Sequence, residues 1–168
     1  CRGQYRLHEV HAQENLEPAL ERCRRATRGQ HAAPILLRIP ALPSAGTDPM
    51  YCPSHFVEND PAALGALIDA NNFAVLVSSV DGQAFATHLP FLYRPQSALL
   101  CAHMARANPH WQALVEQSDD VLVIFQGPHE YVSPTWYGEP GVPTWNYAAA
   151  HVYGSFELIG DPAAHREV

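Results

Sequence analysis

The sequence predicts an α+β domain built on a small, mostly antiparallel β-barrel with short flanking helices. Three observations lead there. Asp81-Gly82 joins two apolar runs and is a strong two-residue hairpin signal. Asp60-Pro61 and Asn108-Pro109 each set a capping side chain before a proline suited to the first helical turn, so helices are interspersed among the strands. The 168 residues are 47% hydrophobic, enough for one real core. Antiparallel hairpins with helices between them favour a barrel over a doubly wound parallel sheet.

The elements follow in order. Residues 13–27 carry Leu16, Ala19, Leu20 and Cys23 at helical spacing. After them come Pro34, Pro40, Pro43, Gly46 and Pro49, a segment expected to hold neither a helix nor a central strand. Asp60 then caps a helix over 61–70 with a Leu64, Leu67, Ile68 stripe. Strands are expected at 73–79, at 83–93 after the hairpin turn, and at 98–104. Asn108 opens a helix through Trp111, Leu114 and Val115. The run Val121-Leu-Val-Ile-Phe-Gln126 reads as a strand buried on both faces, and 147–159 as a last long strand. Residues 127–146, rich in Gly, Pro and aromatics, read as an ordered functional loop. Asp161-Pro162 starts a third helix.

Composition changes near Met50. Residues 1–49 hold seven arginines against five acids, a net of +2; residues 50–168 hold three against twelve, a net of -9. The expected organisation is therefore a poorly patterned extension over 1–49 and a domain over 50–168, with Met50 as a natural start. The overall charge of -7 does not support non-specific nucleic-acid binding as the main activity. All ten basic residues are arginine, so lysine Schiff-base chemistry and a Walker-type phosphate lysine are excluded. No apolar run approaches the ~18 residues that span a bilayer, and the first residues show no basic-then-apolar pattern, so no signal peptide is expected there. The four cysteines form no CxxC pair and read as thiols of a reducing compartment, which points to the cytoplasm. Ten histidines are spread without a short ligand signature, and no metal site is expected. Neither GxGxxG nor GxSxG occurs.

Three segments set polar residues beside strands. In Ala86-Thr-His-Leu-Pro90, Thr87 and His88 interrupt an apolar run and point to opposite faces. Taken alone, that is an ordinary strand with one wet face. In Ala102-His-Met-Ala-Arg-Ala-Asn-Pro-His-Trp111, a strand ends near His103, Arg106 occupies a turn and Asn108 caps a helix. A guanidinium beside a helix start is suited to a phosphate monoester. The alternative is a surface arginine before an ordinary capped helix. The third segment, from Phe125 to Tyr147, packs two tryptophans and three tyrosines among prolines. It could wall a flat conjugated ring, form a subunit interface or close a satellite core. Phosphate clasp and aromatic wall together suit flavin mononucleotide (FMN) and, less specifically, pyridoxal phosphate bound without a Schiff base.

Six ordered motifs then resemble the PaiB family of FMN-binding negative transcriptional regulators. They are Met50-Tyr-Cys-Pro-Ser-His-Phe56, Ala86-Thr-His-Leu-Pro90, His103-Met-Ala-Arg-Ala-Asn-Pro109, Val123-Ile-Phe-Gln-Gly-Pro-His129, Tyr131-Val-Ser-Pro134 and Val142-Pro-Thr-Trp-Asn-Tyr147. The resemblance implies an FMN-binding split β-barrel like that of pyridoxamine 5'-phosphate oxidase, a homodimer with FMN near the subunit interface, a usual start at Met50 and a further C-terminal portion after Val168. It also implies site roles. Thr87, His88 and Leu89 would line the isoalloxazine, and His103, Arg106 and Asn108 would hold the phosphate. Gln126 and the Trp145-Asn146 pair would meet the ribityl chain or ring edge.

Three functions compete on this reading. One is a flavin-binding regulator, for which direct DNA binding is possible but unsupported by the charge and by any helix-turn-helix. Another is an FMN-dependent oxidoreductase of the pyridoxamine-phosphate-oxidase or flavin-reductase type, an analogy of fold, with His88 as its candidate proton donor. The third is a structural dimerisation module.

Overall fold

The computed structural model describes residues 4–6, 32–38, 52–117 and 120–158. The helices expected over 13–27 and from Asp161-Pro162 lie outside the described residues. The elements are β1 (Gln4–Arg6), β2 (Ala32–Arg38), β3 (Val57–Glu58), α1 (Pro61–Ala70), β4 (Phe73–Val80), β5 (Gln83–Arg94), β6 (Leu99–Ala105), α2 (His110–Gln117), β7 (Asp120–Val132) and β8 (Thr144–Leu158). Among the described residues no helix is long and apolar enough to cross a membrane.

The centre is a curled antiparallel sheet in the order β6-β5-β4-β7-β8. β2 pairs with β6 on one side and with β8 on the other, joining the two edges of the sheet. This is the α+β split barrel that the sequence predicts. β1 runs parallel to β8 and to β3.

Two expectations need correction. The proline-bearing segment around Pro34 does contain a strand within the barrel wall. Pro34 faces His103 of β6, but pairing with β8 begins only at Ile35, so the proline lies where β2 has one neighbour. The loop expected over 127–146 is shorter than that, because β7 runs on through Val132 and β8 begins at Thr144, leaving 133–143 between them. Gly127-Pro128 interrupts the ladder without ending it. Gln126 pairs with Ala149 and His129 with Tyr147, so β7 carries one extra residue at a bulge. At the bulge, a Cβ on Gly127 would lie 2.6 Å from Leu67 Cδ1 and 3.1 Å from the Ala148 carbonyl oxygen, so any other residue must push the Leu67 tip aside and crowd the β8 backbone.

Local chemistry explains the remaining elements. Asp60 Oδ1 accepts the Ala62 N–H at 3.0 Å and Pro61 opens α1, as the cap-plus-proline signal predicts. Asp81 (φ 52°) and Gly82 (φ 77°) are both left-handed, the type I′ geometry that lets Val80 pair with Gln83. Strand alternation sends Ala74, Leu76, Leu89, Phe91, Tyr93, Leu100, Ala102, Met104, Val121, Val123, Phe125, Ala150 and Val152 inward. Phe91 and Phe125 meet edge-on with centroids 5.8 Å apart. α1 adds Ile68 to this core and α2 adds Trp111 and Leu114. The outer face of β7 is only half-buried at Leu122 and Ile124, so the strand is not covered on both sides as its composition suggests.

Candidate functional site

The barrel is split between β5 and β6. Their ladder runs only from Phe91↔Ala102 to Arg94↔Leu99. Before Phe91, β5 keeps β4 as partner, while β6 beyond Ala102 continues against β2. The stretch 86–90 therefore has one edge with no paired strand among the described residues, and its backbone polar groups there are available to a ligand.

The turn between β6 and α2 lies across this opening and is fastened at several points. Asn108 N–H donates to the Ala105 carbonyl at 2.9 Å, and the buried Trp111 indole donates to the Arg106 carbonyl at 3.0 Å. Asn108 caps α2, its Oδ1 accepting the His110 N–H at 3.0 Å, while its Nδ2 donates to Thr87 Oγ1 at 3.3 Å. His110 is 0% exposed and reaches two hydroxyls at once: Nδ1 lies 2.8 Å from Thr87 Oγ1 and Nε2 lies 2.8 Å from Ser78 Oγ. The Phe85 ring tilts against it with centroids 4.6 Å apart. Burial lowers the pKa of His110, which favours the neutral imidazole.

These bonds change how the turn can hold an anion. The His110 N–H is taken by Asn108, and the Gln112 and Ala113 N–H groups both donate to the Pro109 carbonyl. A cap and a tight first turn thus occupy donors that the sequence alone would leave open. What this turn could offer an anion is therefore chiefly the side chain of Arg106, whose carbonyl is held by the Trp111 indole.

The other predicted site residues are spread over the barrel. Thr87 is half-buried on the inner face, and His88 is exposed on the outer face, stacked on Phe73 at 6.1 Å. The Leu89 side chain is 6% exposed and belongs to the core, so what it can offer a ligand is its backbone. His103 is half-buried and sits on the face of β6 opposite Met104. Gln126 is exposed at the start of the bulge. Trp145, 53% exposed, stacks on His129 at 5.8 Å and approaches Tyr131 at 6.3 Å. Asn146 faces Glu130, and its Oδ1 is buried without a hydrogen-bond partner.

The structure joins Thr87, Asn108 and the Arg106 turn but keeps Trp145 and Asn146 apart from them. Thr87 shares a lateral row with Leu76, Val123 and Val152. Asn146 is six positions along β8 from that row, about 20 Å of strand. The sequence reading missed His110 and Ser78. A histidine just after a cap-plus-proline pair was a signal that something at the helix start faces inward, but no spacing reveals which hydroxyls it meets. Among the described residues no group of three or more His, Cys, Asp or Glu is placed to hold a metal ion.

Residues 50–168 match the family described as "Putative FMN-binding domain". The chain belongs to the PaiB family. It is 38% identical over 112 residues to "Protease synthase and sporulation protein PAI 2" of Bacillus subtilis (strain 168), covering 66% of this chain and 54% of that protein. It is 33% identical over 145 residues to an uncharacterised protein of Emericella nidulans, covering 67% and 58%. It is also 39% identical over 84 residues to an uncharacterised protein of Saccharomyces cerevisiae, covering 45% and 49%. The chain thus spans about half the length of these curated relatives.

FMN is the cofactor of this PaiB-family chain. The residues present suit it. The buried Asn146 Oδ1 is an acceptor in need of a donor, which flavin imide and ribityl hydroxyl groups can supply. Arg106 can meet a phosphate with parallel N–H donors. The open edge at 86–90 presents backbone groups of the kind that fix a planar heterocycle.

Proposed function

We propose that this PaiB-family chain is an FMN-carrying regulator that acts as a homodimer in the cytoplasm. The observation that carries the reading is the braced Arg106 turn, set across a barrel opening beside a strand edge that no described strand pairs. In this reading Arg106, with His103 and Asn108 around it, holds the phosphate, while the 86–90 edge with Thr87 and His88 lines the ring. When bound, FMN supplies hydride and single-electron chemistry. The chain's own residues bind it and orient it. The test is flavin absorbance of the purified protein: Arg106→Ala should lose FMN on gel filtration while keeping its fold by circular dichroism. A variant that retains full FMN would remove this assignment.

The homodimer has its own support. Trp145 and Asn146, assigned to the ribityl chain or ring edge, lie about 20 Å of strand from the Thr87 row, so one chain does not gather the whole set around a single ring. A second copy can bring its set to the first copy's phosphate turn. The outer face of β4, β5, β7 and β8 is also suited to contact, since Val75, Val77, Leu122 and Ile124 are all only half-buried there.

The regulatory role is supported by the family and by the Bacillus subtilis relative, whose name ties it to protease synthesis and sporulation. With a charge of -9 over residues 50–168, regulation through a partner, flavin redox state or a further C-terminal portion fits better than direct operator contact. A gel shift at physiological salt with the FMN-loaded protein tests for direct contact.

One observation favours the oxidoreductase reading as a second possibility. His88 is exposed on the outer face, on a stretch of β5 with one edge that no described strand pairs, where it could hold a proton for a bound substrate. Anaerobic bleaching of the flavin by NAD(P)H, slowed in His88→Ala, is the result this reading expects.

A further inference from the structure

We propose that His110 is a positioning residue for cofactor phosphate: held as one ring tautomer, it locks Thr87 and Asn108 together across the β5–β6 opening and thereby sets the Arg106 turn. The inference rests on the reading of that turn as the phosphate site.

The hydrogen bonds have a direction. Asn108 Oδ1 accepts a backbone N–H, that of His110, so the amide orientation is settled and Nδ2 must face Thr87. Nδ2 is purely a donor, so Thr87 Oγ1 accepts from it. In the proposed arrangement the Thr87 O–H donates to His110 Nδ1 at 2.8 Å, so that the hydroxyl both accepts and donates. With Nδ1 accepting, the ring proton of the neutral imidazole sits on Nε2 and donates to Ser78 Oγ at 2.8 Å. In the opposite tautomer Asn108 Nδ2 and His110 Nδ1–H would both donate to Thr87 Oγ1, filling its two lone pairs and turning its own proton away from the ring, while Ser78 would donate to Nε2. One continuous chain therefore runs Asn108 to Thr87 to His110 to Ser78, tying α2 to both β5 and β4.

The site has no slack at this point. His110 is 0% exposed with both ring nitrogens engaged, and Phe85 packs on the ring. Asn108 is two residues from Arg106, whose carbonyl is held by Trp111, so a shift at the histidine passes directly into the turn. At an inward-facing core position with two hydroxyls to satisfy, a hydrocarbon side chain would leave Thr87 and Ser78 without their partner.

FMN and riboflavin differ only by the phosphate, so their affinity ratio isolates the turn. The full chain is stripped of flavin and titrated with each by fluorescence quenching. His110→Phe should weaken FMN by about tenfold or more while moving riboflavin little, tenfold being about 1.4 kcal/mol. His110→Asn, whose amide reaches the Nδ1 position and keeps the Thr87 bond, should recover most of the ratio. His110→Gln, reaching toward Ser78 instead, should not. Should His110→Phe fail to fold, the Asn and Gln pair still decides. Nitrogen NMR of the wild-type ring should show the proton on Nε2. Equal weakening of both flavins, an unchanged ratio in folded His110→Phe, or a proton on Nδ1 would each overturn the proposal. If Arg106→Ala leaves the wild-type ratio intact, the phosphate reading itself fails, a result distinct from any of these.

Discussion

His88 of β5 and His151 of β8 share one lateral row on the outer barrel face, with Val75 and Ile124 between them. An apolar centre flanked by imidazoles is unusual for a wholly solvated wall. If this face joins two copies, a charge at its middle should separate them. Ile124→Glu is expected to halve the mass seen by light scattering and to weaken FMN retention, while the isolated chain keeps its circular dichroism. A variant of unchanged mass would place the dimer elsewhere or dispense with it.

Two histidines tie stability to acidity. Burial lowers the pKa of both His110 and His151. Each is then neutral in the fold at a pH where the unfolded chain, titrating near the ordinary 6.5, already binds a proton. The unfolded state takes up more protons in that window, so stability is complete above pH 6.5 and declines as pH falls below it. Each fully engaged histidine steepens the decline by at most about 1.4 kcal/mol per pH unit. Urea midpoints measured from pH 7.5 down to 5 should fall, and His151→Gln should flatten part of that slope. A midpoint independent of pH would contradict the assignment.

Gly127 tests the bulge. Alanine there must displace Leu67 or the Ala148 carbonyl, and overpacking of this kind costs about 1–3 kcal/mol. Gly138, where an added Cβ meets nothing within 4 Å, is the matched control and should be close to neutral. Thermal melts of the two variants should separate clearly.

Asp60→Ala removes the side-chain acceptor at the start of α1, at a cost of about 1 kcal/mol. Asp60→Asn, which keeps an acceptor oxygen, should recover most of that loss in the same denaturation experiment.

Much of the barrel was written into local chemistry. The Asp81-Gly82 turn, the Asp60 cap and the apolar alternation of β4 and β5 act over a few residues, so they are legible without a partner strand. The start of the 127–146 loop was placed too early because Gly and Pro signal a loop end and a bulge alike; only the resumed pairing of His129 with Tyr147 separates the two. Pro34 misled for a related reason, since its tolerance depends on a neighbour being absent on one side.

By itself the chain determined most of its central strands and both described helices, an α+β barrel class and the residue types able to clasp a phosphorylated flavin, because caps, turns and alternation are short-range properties; the split form came from the family resemblance. The folded molecule alone decided that Thr87 and Asn108 bind one another through a buried imidazole while Asn146 stays distant. Those relations depend on strand register and on where two strands part, and both are set by contacts between segments far apart along the backbone.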